Sequence, residues 1–212
     1  MFKIAVFTFN PFQENTYLLY DHSNECLIID PGCYTPDEKA RLQGFINQRH
    51  LRPVALVNTH CHIDHVMGNR FVADTYQLPL TAHQGEIAVL ETAVGYGKMV
   101  GLPIEISPPI TQFVAEGDTI SFGETTLNVL FTPGHSPASI TLYHEKQGVL
   151  IAGDVLFHES IGRTDLPGGD YDTLIDSIKN KLLPLGDHIK VYNGHGQATT
   201  IGHERKYNPF LV

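Results

Sequence analysis

Apolar positions along this chain change their spacing several times, and each change marks a boundary between elements. Residues 4–9, 16–20 and 26–29 are short apolar runs. Asn10-Pro11 and the polar stretch Asp21-His22-Ser23-Asn24 separate them, so they read as a meander of strands. The period then becomes helical. Thr35-Pro36-Asp37-Glu38 has the form of a capping box with proline at the first helical position, and Leu42, Phe45 and Ile46 follow at helical spacing until Pro53 forbids continuation. Residues 54–57 read as a short buried strand. A helix is expected over residues 68–76, and another uses Ile87, Leu90 and Val94 as its apolar face. Residues 95–109 are rich in Gly and Pro and are expected to form a loop, in the manner of a flap. Strand-like runs return at 119–122, 126–131, 139–143 and 149–152. Asp170 then caps a helix with the apolar stripe Leu174, Ile175, Ile178 and Leu182, and residues 189–192 are the last expected strand.

Strands occur early and late, and each half carries its own helices. That pattern predicts an α/β fold in which two sheets pack together with helices outside, a four-layer αββα sandwich. A length of 212 residues with 42% hydrophobic content fits one domain over residues 1–212. No stretch approaches the roughly 20 apolar residues that span a bilayer, so no membrane partner is expected. The first apolar run stops at Asn10-Pro11, before a signal-peptide core and cleavage site would fit. Cys26, Cys33 and Cys61 are odd in number and form no C-x-x-C pair, which points away from a disulfide framework and toward a reducing compartment. The cytoplasm is the expected location. A net charge of -9, with no Lys/Arg run longer than a pair, lacks the footprint of a phosphate-backbone binder, so nucleic acid is not an expected partner. Nothing in the sequence separates a monomer from a homodimer.

The candidate chemistry lies in the histidines, of which there are 12. His60, His62 and His65, together with Asp64, crowd onto six residues directly after the expected strand 54–57. In an extended stretch alternate residues share a face, so His60 and His62 can hold one ion, while a bend at Asp64 aims Asp64 and His65 at a second. Three further donors each follow an expected strand: His135 after 126–131, Asp154 after 149–152, and His195 after 189–192. Gly134, Gly153, Gly194 and Gly196 flank them, where backbone must turn tightly beside a ligand cluster. Cys61 sits between two of the donors but should point the other way, in a packing role. His22, His50, His83, His144, His158, His188 and His203 show no partner at ligand spacing and are expected at the surface or around the site, with His158 near its mouth.

The core H-x-H-x-D-H, followed by His135, Asp154 and His195 at these separations, resembles the metallo-β-lactamase superfamily over nearly the whole chain. Within it, Asn10-Pro11-Phe12-Gln13-Glu14-Asn15-Thr16-Tyr17, Asp30-Pro31-Gly32, Thr132-Pro133-Gly134-His135-Ser136, Gly153-Asp154 and Gly194-His195-Gly196 are similar to the glyoxalase II-type thiolester hydrolases. The resemblance implies one metal held by His60, His62 and His135, a second held by Asp64, His65 and His195, and Asp154 bridging. It implies two divalent ions, zinc first, with iron or manganese as alternatives. Four positive charges against two carboxylates and a shared hydroxide leave about one to attract an anionic substrate or an oxyanion. The hydroxide is the expected nucleophile on a small anionic thiolester, with Asp64 orienting it. Arg163 falls where the family places a cation near the substrate's thiol half, against which stands a plain salt bridge within its own loop.

Two other classes share these residues. A persulfide dioxygenase branch uses the same ligand frame with one iron, and Gly162-Arg163-Thr164-Asp165 is similar to that branch as well. A metal-binding protein without turnover is the third. A secreted β-lactamase is expected to carry a signal peptide and a cysteine in place of Asp154. Glyoxalase II itself is expected to have a helical glutathione-holding extension and a tyrosine where Gln197 stands. The thiolester hydrolase reading therefore comes with an open substrate.

Overall fold

The first three strands, β1 (Lys3–Phe9), β2 (Glu14–Tyr20) and β3 (Glu25–Ile29), form the expected antiparallel meander in a computed structural model that describes all residues, Met1–Val212. From β3 onward the sheet becomes parallel. It adds β4 (Arg52–Val57), β5 (Leu80–Ala82) and β6 (Ile110–Phe113) in sequence order. Each parallel step needs a crossover, and helices supply it. These are α1 (Pro36–Gln48), the short α2 (Ile63–Val66) with α3 (Asn69–Tyr76), and α4 (Ile87–Met99). The capping box is made: the Thr35 hydroxyl accepts from the Glu38 amide and the Glu38 carboxylate accepts from the Thr35 amide. Leu42 and Ile46 are buried on the inner face of α1. The core of this sheet collects Phe7, Leu18, Ile28, Leu42, Leu56, Val72 and Leu80, with Cys26, Cys33 and Cys61 among them.

The second sheet has the order β14-β13-β10-β9-β8-β7, built from β7 (Thr119–Phe122), β8 (Thr125–Phe131), β9 (Ile140–His144), β10 (Val149–Gly153), β13 (Lys190–Asn193) and β14 (Thr199–Thr200). A small hairpin, β11 (Leu156–Phe157) with β12 (Ser160–Ile161), follows β10. Asp170 caps α5 (Tyr171–Asp176), which continues as a wider π-helical turn over Ser177–Leu182. The expected stripe Leu174, Ile178 and Leu182 is buried there against Leu150, Ile189 and Val191, and Ile175 packs at its margin. The seven-residue α6 (Ile201–Tyr207) closes the order of elements.

Three expectations need correction. Helix α4 runs through Gly95 and Gly97 to Met99, so the loop starts later than the Gly content suggests. Its buried positions are Ala93 and Gly97, and a Cβ at Gly97 would lie 2.6 Å from the Leu102 carbonyl. Glycine there permits a close approach. The short strands β5, β6, β11, β12 and β14 and helix α6 carry too few periodic residues to announce themselves, and residues 189–192 are not the last strand.

The chain divides into two compact units. The first is Met1–Phe113 with Ser121–Thr126, and the second is Val114–Ile120 with Leu127–Val212. No helix is long and apolar enough to cross a membrane.

Candidate metal centre

In the first unit the donors follow from strand register. Strands β3 and β4 run parallel with Ile29 opposite Val57, so Asp30 and the Asn58-Thr59-His60 turn leave the sheet side by side. Asp30 takes a left-handed φ of 48° and accepts the Thr59 amide at 2.7 Å and the Thr59 hydroxyl at 2.6 Å. Its second oxygen lies 3.2 Å from His65 Nδ1. Asn58 donates to the His65 carbonyl at 2.9 Å and is itself held by Asn69 at 2.7 Å. The Asn10 side-chain amide donates to the carbonyls of Asp64, at 2.9 Å, and Gly32, at 3.0 Å. Cys61 is fully buried in the core, as expected of a packing residue, and its amide donates to the buried Glu86.

Neighbouring side chains set the surroundings of two of the three imidazoles. His65 turns Nδ1 to Asp30 and Nε2 toward Asp64, whose Oδ2 is 3.5 Å away. His60 has Nδ1 3.2 Å from the Thr59 hydroxyl. The rings of His60 and His62 meet edge to face at 4.9 Å, and those of His60 and His65 lie 4.1 Å apart. Ligand-type atoms of Asp30, His60 and His65 also fall within 4.8 Å of one another, but the Asp30 carboxylate is already engaged by Thr59. It serves the cluster from behind, as the carboxylate that orients a liganding histidine does. Behind it sits Glu14, fully buried, accepting from the Thr16 hydroxyl at 2.9 Å. Burial pushes its carboxyl well above the usual range, and nearby His65 pulls the other way.

The second unit gathers its three donors by a different route. Strand β10 runs parallel to β13 with Gly153 opposite Asn193, so Asp154 and the Gly194-His195 turn emerge together. The β8 to β9 connection brings His135 to the same sheet end, because β9 is antiparallel to both β8 and β10. His135 directs Nδ1 to the Arg163 carbonyl at 2.7 Å. One carboxylate oxygen, Asp154 Oδ2, then lies 3.5 Å from His135 Nε2 and 3.4 Å from His195 Nε2. Ligand atoms about 2.1 Å from a tetrahedral ion sit roughly 3.4 Å apart, so this spacing suits donors that share ions. Two glycines permit the packing. Gly134 has φ 129° and a Cβ there would meet the Leu174 backbone at 2.3 Å; a Cβ at Gly162 would meet the Asp154 carbonyl at 1.9 Å.

Arg163 grips Asp165 in a two-pronged ion pair, 2.6 and 2.7 Å, that holds the Asp165 carboxyl down at about 2. Of the other histidines, His83 and His144 accept amide bonds in their own turns and His22 pairs with Glu124. His158 and His203, expected to lack partners, in fact stack with ring centroids 4.8 Å apart. From the sequence, Glu14 and Asp30 stand out only as members of the family-like stretches, with no role attached, and Asn58 and Asn69 do not stand out at all. The available signal is polarity at strand ends for Glu14, Asp30 and Asn58, and at the start of α3 for Asn69.

A profile of the metallo-beta-lactamase superfamily matches residues 9–195. The chain belongs to that superfamily. Hydroxyacylglutathione hydrolase GloC of Haemophilus influenzae is 37% identical over 99% of this chain and 98% of its own length. Among solved structures, the BLEG-1 B3 metallo-beta-lactamase is 40% identical, covers all of both chains and gives a TM-score of 0.90. TTHA1623, in a di-iron-bound form, is 36% identical over 98% of this chain and all of its own, with a TM-score of 0.88. The α/β fold is thus the metallo-β-lactamase fold, and the chain is a member of a metallo-hydrolase superfamily whose His and Asp clusters suit metal.

Proposed function

We propose that the two units work as one domain, residues 1–212, whose donor clusters jointly hold two divalent ions and hydrolyse a small anionic thiolester. The observation that carries this reading is the placement of Asp154, with a single oxygen at near-equal distance from His135 and His195. His60, His62 and His135 would hold one ion, Asp64, His65 and His195 would hold the other, and Asp154 would serve both. The donor chemistry fits: imidazoles and carboxylates, with the Nδ1 sides of His65 and His135 tied down so that Nε2 is presented. Zinc is the first candidate, with iron or manganese as alternatives, and the di-iron relative keeps iron in the test.

When bound, such ions supply a water activated near neutral pH and positive charge for a developing oxyanion. The protein does the rest. Asp64, set on the first turn of α2 and held through its carbonyl by Asn10, orients the attacking water. A thiolate is a good leaving group, so no strong acid has to be built opposite it. Arg163 would meet the anionic end of the substrate only by exchanging partners with Asp165, which is exposed enough to release it. The buried, unbridged cysteines suit a reducing compartment, in keeping with a cytoplasmic enzyme.

The test is thiolester hydrolysis by purified protein, with metal content measured on the same sample. About two metals per chain, and hydrolysis of a hydroxyacyl thiolester of glutathione that is lost with chelator, are expected. His60→Ala and Asp154→Asn should each lower metal content and remove nearly all activity. One iron per chain with persulfide-dependent oxygen uptake would make this a dioxygenase instead. The likeness to BLEG-1 favours β-lactam hydrolysis as a second reading, so a β-lactam belongs in the same assay; its turnover without thiolester turnover would move the assignment.

A further inference from the structure

The turn of the β11–β12 hairpin, His158-Glu159, is held in a conformation that its residues would not choose. Glu159 has φ 53°, in the left-handed region that costs a side-chain-bearing residue energy, and something must hold it there. Helix α6 does so. Its fully buried Glu204 accepts the Glu159 amide at 2.8 Å, and Asn208 donates both to Glu204, at 2.8 Å, and to the Ser160 carbonyl, at 3.0 Å. The Thr199 hydroxyl closes the set by donating to the other Glu204 oxygen. This network fixes the turn against α6 without using the outward-facing side chains of His158, Glu159 or His203.

Those three side chains converge all the same. His158 and His203 stack at 4.8 Å with ring planes 23° apart. Glu159 Oε1 lies 2.9 Å from His203 Nε2 and 4.0 Å from His158 Nε2, and one ligand atom from each residue falls within 4.8 Å of the others. The side chains are 34%, 49% and 32% exposed, in the order His158, Glu159, His203, open to solvent yet backed by protein. A cation bound between the two rings and the carboxylate would use all three groups.

We propose that His158, Glu159 and His203 form a second site for a transition-metal cation. Two imidazole nitrogens and one carboxylate oxygen suit Zn²⁺, Ni²⁺ or Cu²⁺ and not the all-oxygen preference of Ca²⁺ or Mg²⁺. Three protein ligands leave at least one position to water. Ligand separations of roughly 3.4 Å around a tetrahedral ion lie inside the 2.9 to 4.8 Å spread, so small side-chain rotations complete the site. The site stands independently of the thiolester reading, since none of its residues belongs to the seven donors.

The experiment is a calorimetric titration of protein carrying its resident metal with Ni²⁺ alone, with elemental analysis before and after. Wild type should take up about one further equivalent while the resident metal stays constant. His158→Ala and His203→Ala should each weaken that uptake by about ten-fold or more, and Glu159→Gln by less. The melting temperature without Ni²⁺ checks that each variant folds; Ni²⁺ should raise it in wild type and leave it unmoved in His158→Ala. Equal uptake and affinity in wild type and both histidine variants would overturn the proposal. So would an extra equivalent that appears only as resident metal is lost.

Discussion

The two donor clusters reach similar geometry by opposite means. In the first unit, four donors come from six consecutive residues, and the work lies in choosing which way each ring faces. A buried polar layer backs that choice: Asp30 faces the His65 ring, Asn58, held by Asn69, anchors the His65 carbonyl, and Glu14 lies behind them. In the second unit, three donors arrive from separate strand ends, and the work lies in bringing backbone close. There a main-chain carbonyl orients His135, and glycines clear the space. A cluster dense in sequence thus depends on its neighbours' side chains, and a dispersed cluster depends on the absence of side chains. The two should fail differently when disturbed.

The largest effect is expected at Asp30. Asp30→Asn keeps the shape and tolerates the left-handed φ of 48°, but its amide can no longer accept from Thr59 and face His65 Nδ1 at once. Buried donors left without an acceptor should cost about 2–4 kcal/mol of stability, and metal affinity should fall by about 10–100-fold. Denaturant unfolding and metal competition would measure the two. Wild-type metal affinity in Asp30→Asn would refute the idea that side chains behind the first cluster set its geometry.

The matching disturbance in the second unit is Gly162→Ala. The added methyl would lie 1.9 Å from the Asp154 carbonyl and 3.0 Å from the His135 ring, so the backbone must move. The expected cost in stability is smaller, about 1–3 kcal/mol, but it falls on two donors together. A shift near 1 Å is enough to lower turnover about a hundred-fold. Activity should therefore drop far more than the melting temperature does. Proportionate losses would mean that Gly162 serves the fold and not the donors.

The same contrast explains what could be read from the sequence. Crowding of His60, His62, Asp64 and His65 is local, so it was legible directly. His135, Asp154 and His195 were legible because each follows a strand and stands beside glycine. The longer strands of both sheets and α1 declare themselves by period and by the capping box. The role of Asp30 is not legible, although Asp30-Pro31-Gly32 is a family-like stretch, because a single aspartate after a strand does not reveal that a parallel neighbour will deliver Thr59 to it. His203 and Glu159 lie 44 residues apart, and only the docking of α6 on the hairpin unites them. Gly95 and Gly97 read as breakers in the sequence, yet α4 runs through both, and close packing at Gly97 uses the missing Cβ.

The smallest effect compares two acidic residues, one from each unit, whose carboxyls are both held at about 2. Asp165 owes this chiefly to its ion pair with Arg163, and its side chain is 69% exposed, so solvent screens the pair and little stability follows. Asp21 is buried, which by itself would raise its pKa. It nevertheless accepts from the Ser23 amide and hydroxyl, the Glu124 amide and the Thr125 hydroxyl, which together outweigh burial and tie the β7–β8 turn to the β2–β3 turn. Its folded pKa lies below the ordinary 3.8, so the unfolded chain binds the proton more readily. The stabilisation is complete above pH 3.8 and is lost as pH falls toward about 2. Its size is on the order of 2 kcal/mol. Denaturant unfolding of metal-free protein across that window should show Asp21→Asn less stable than wild type at pH 5 and the gap closing as pH drops. Asp165→Asn should track wild type throughout. A gap that persists unchanged at the acid end would show that Asp21 acts through packing, with its charge contributing nothing.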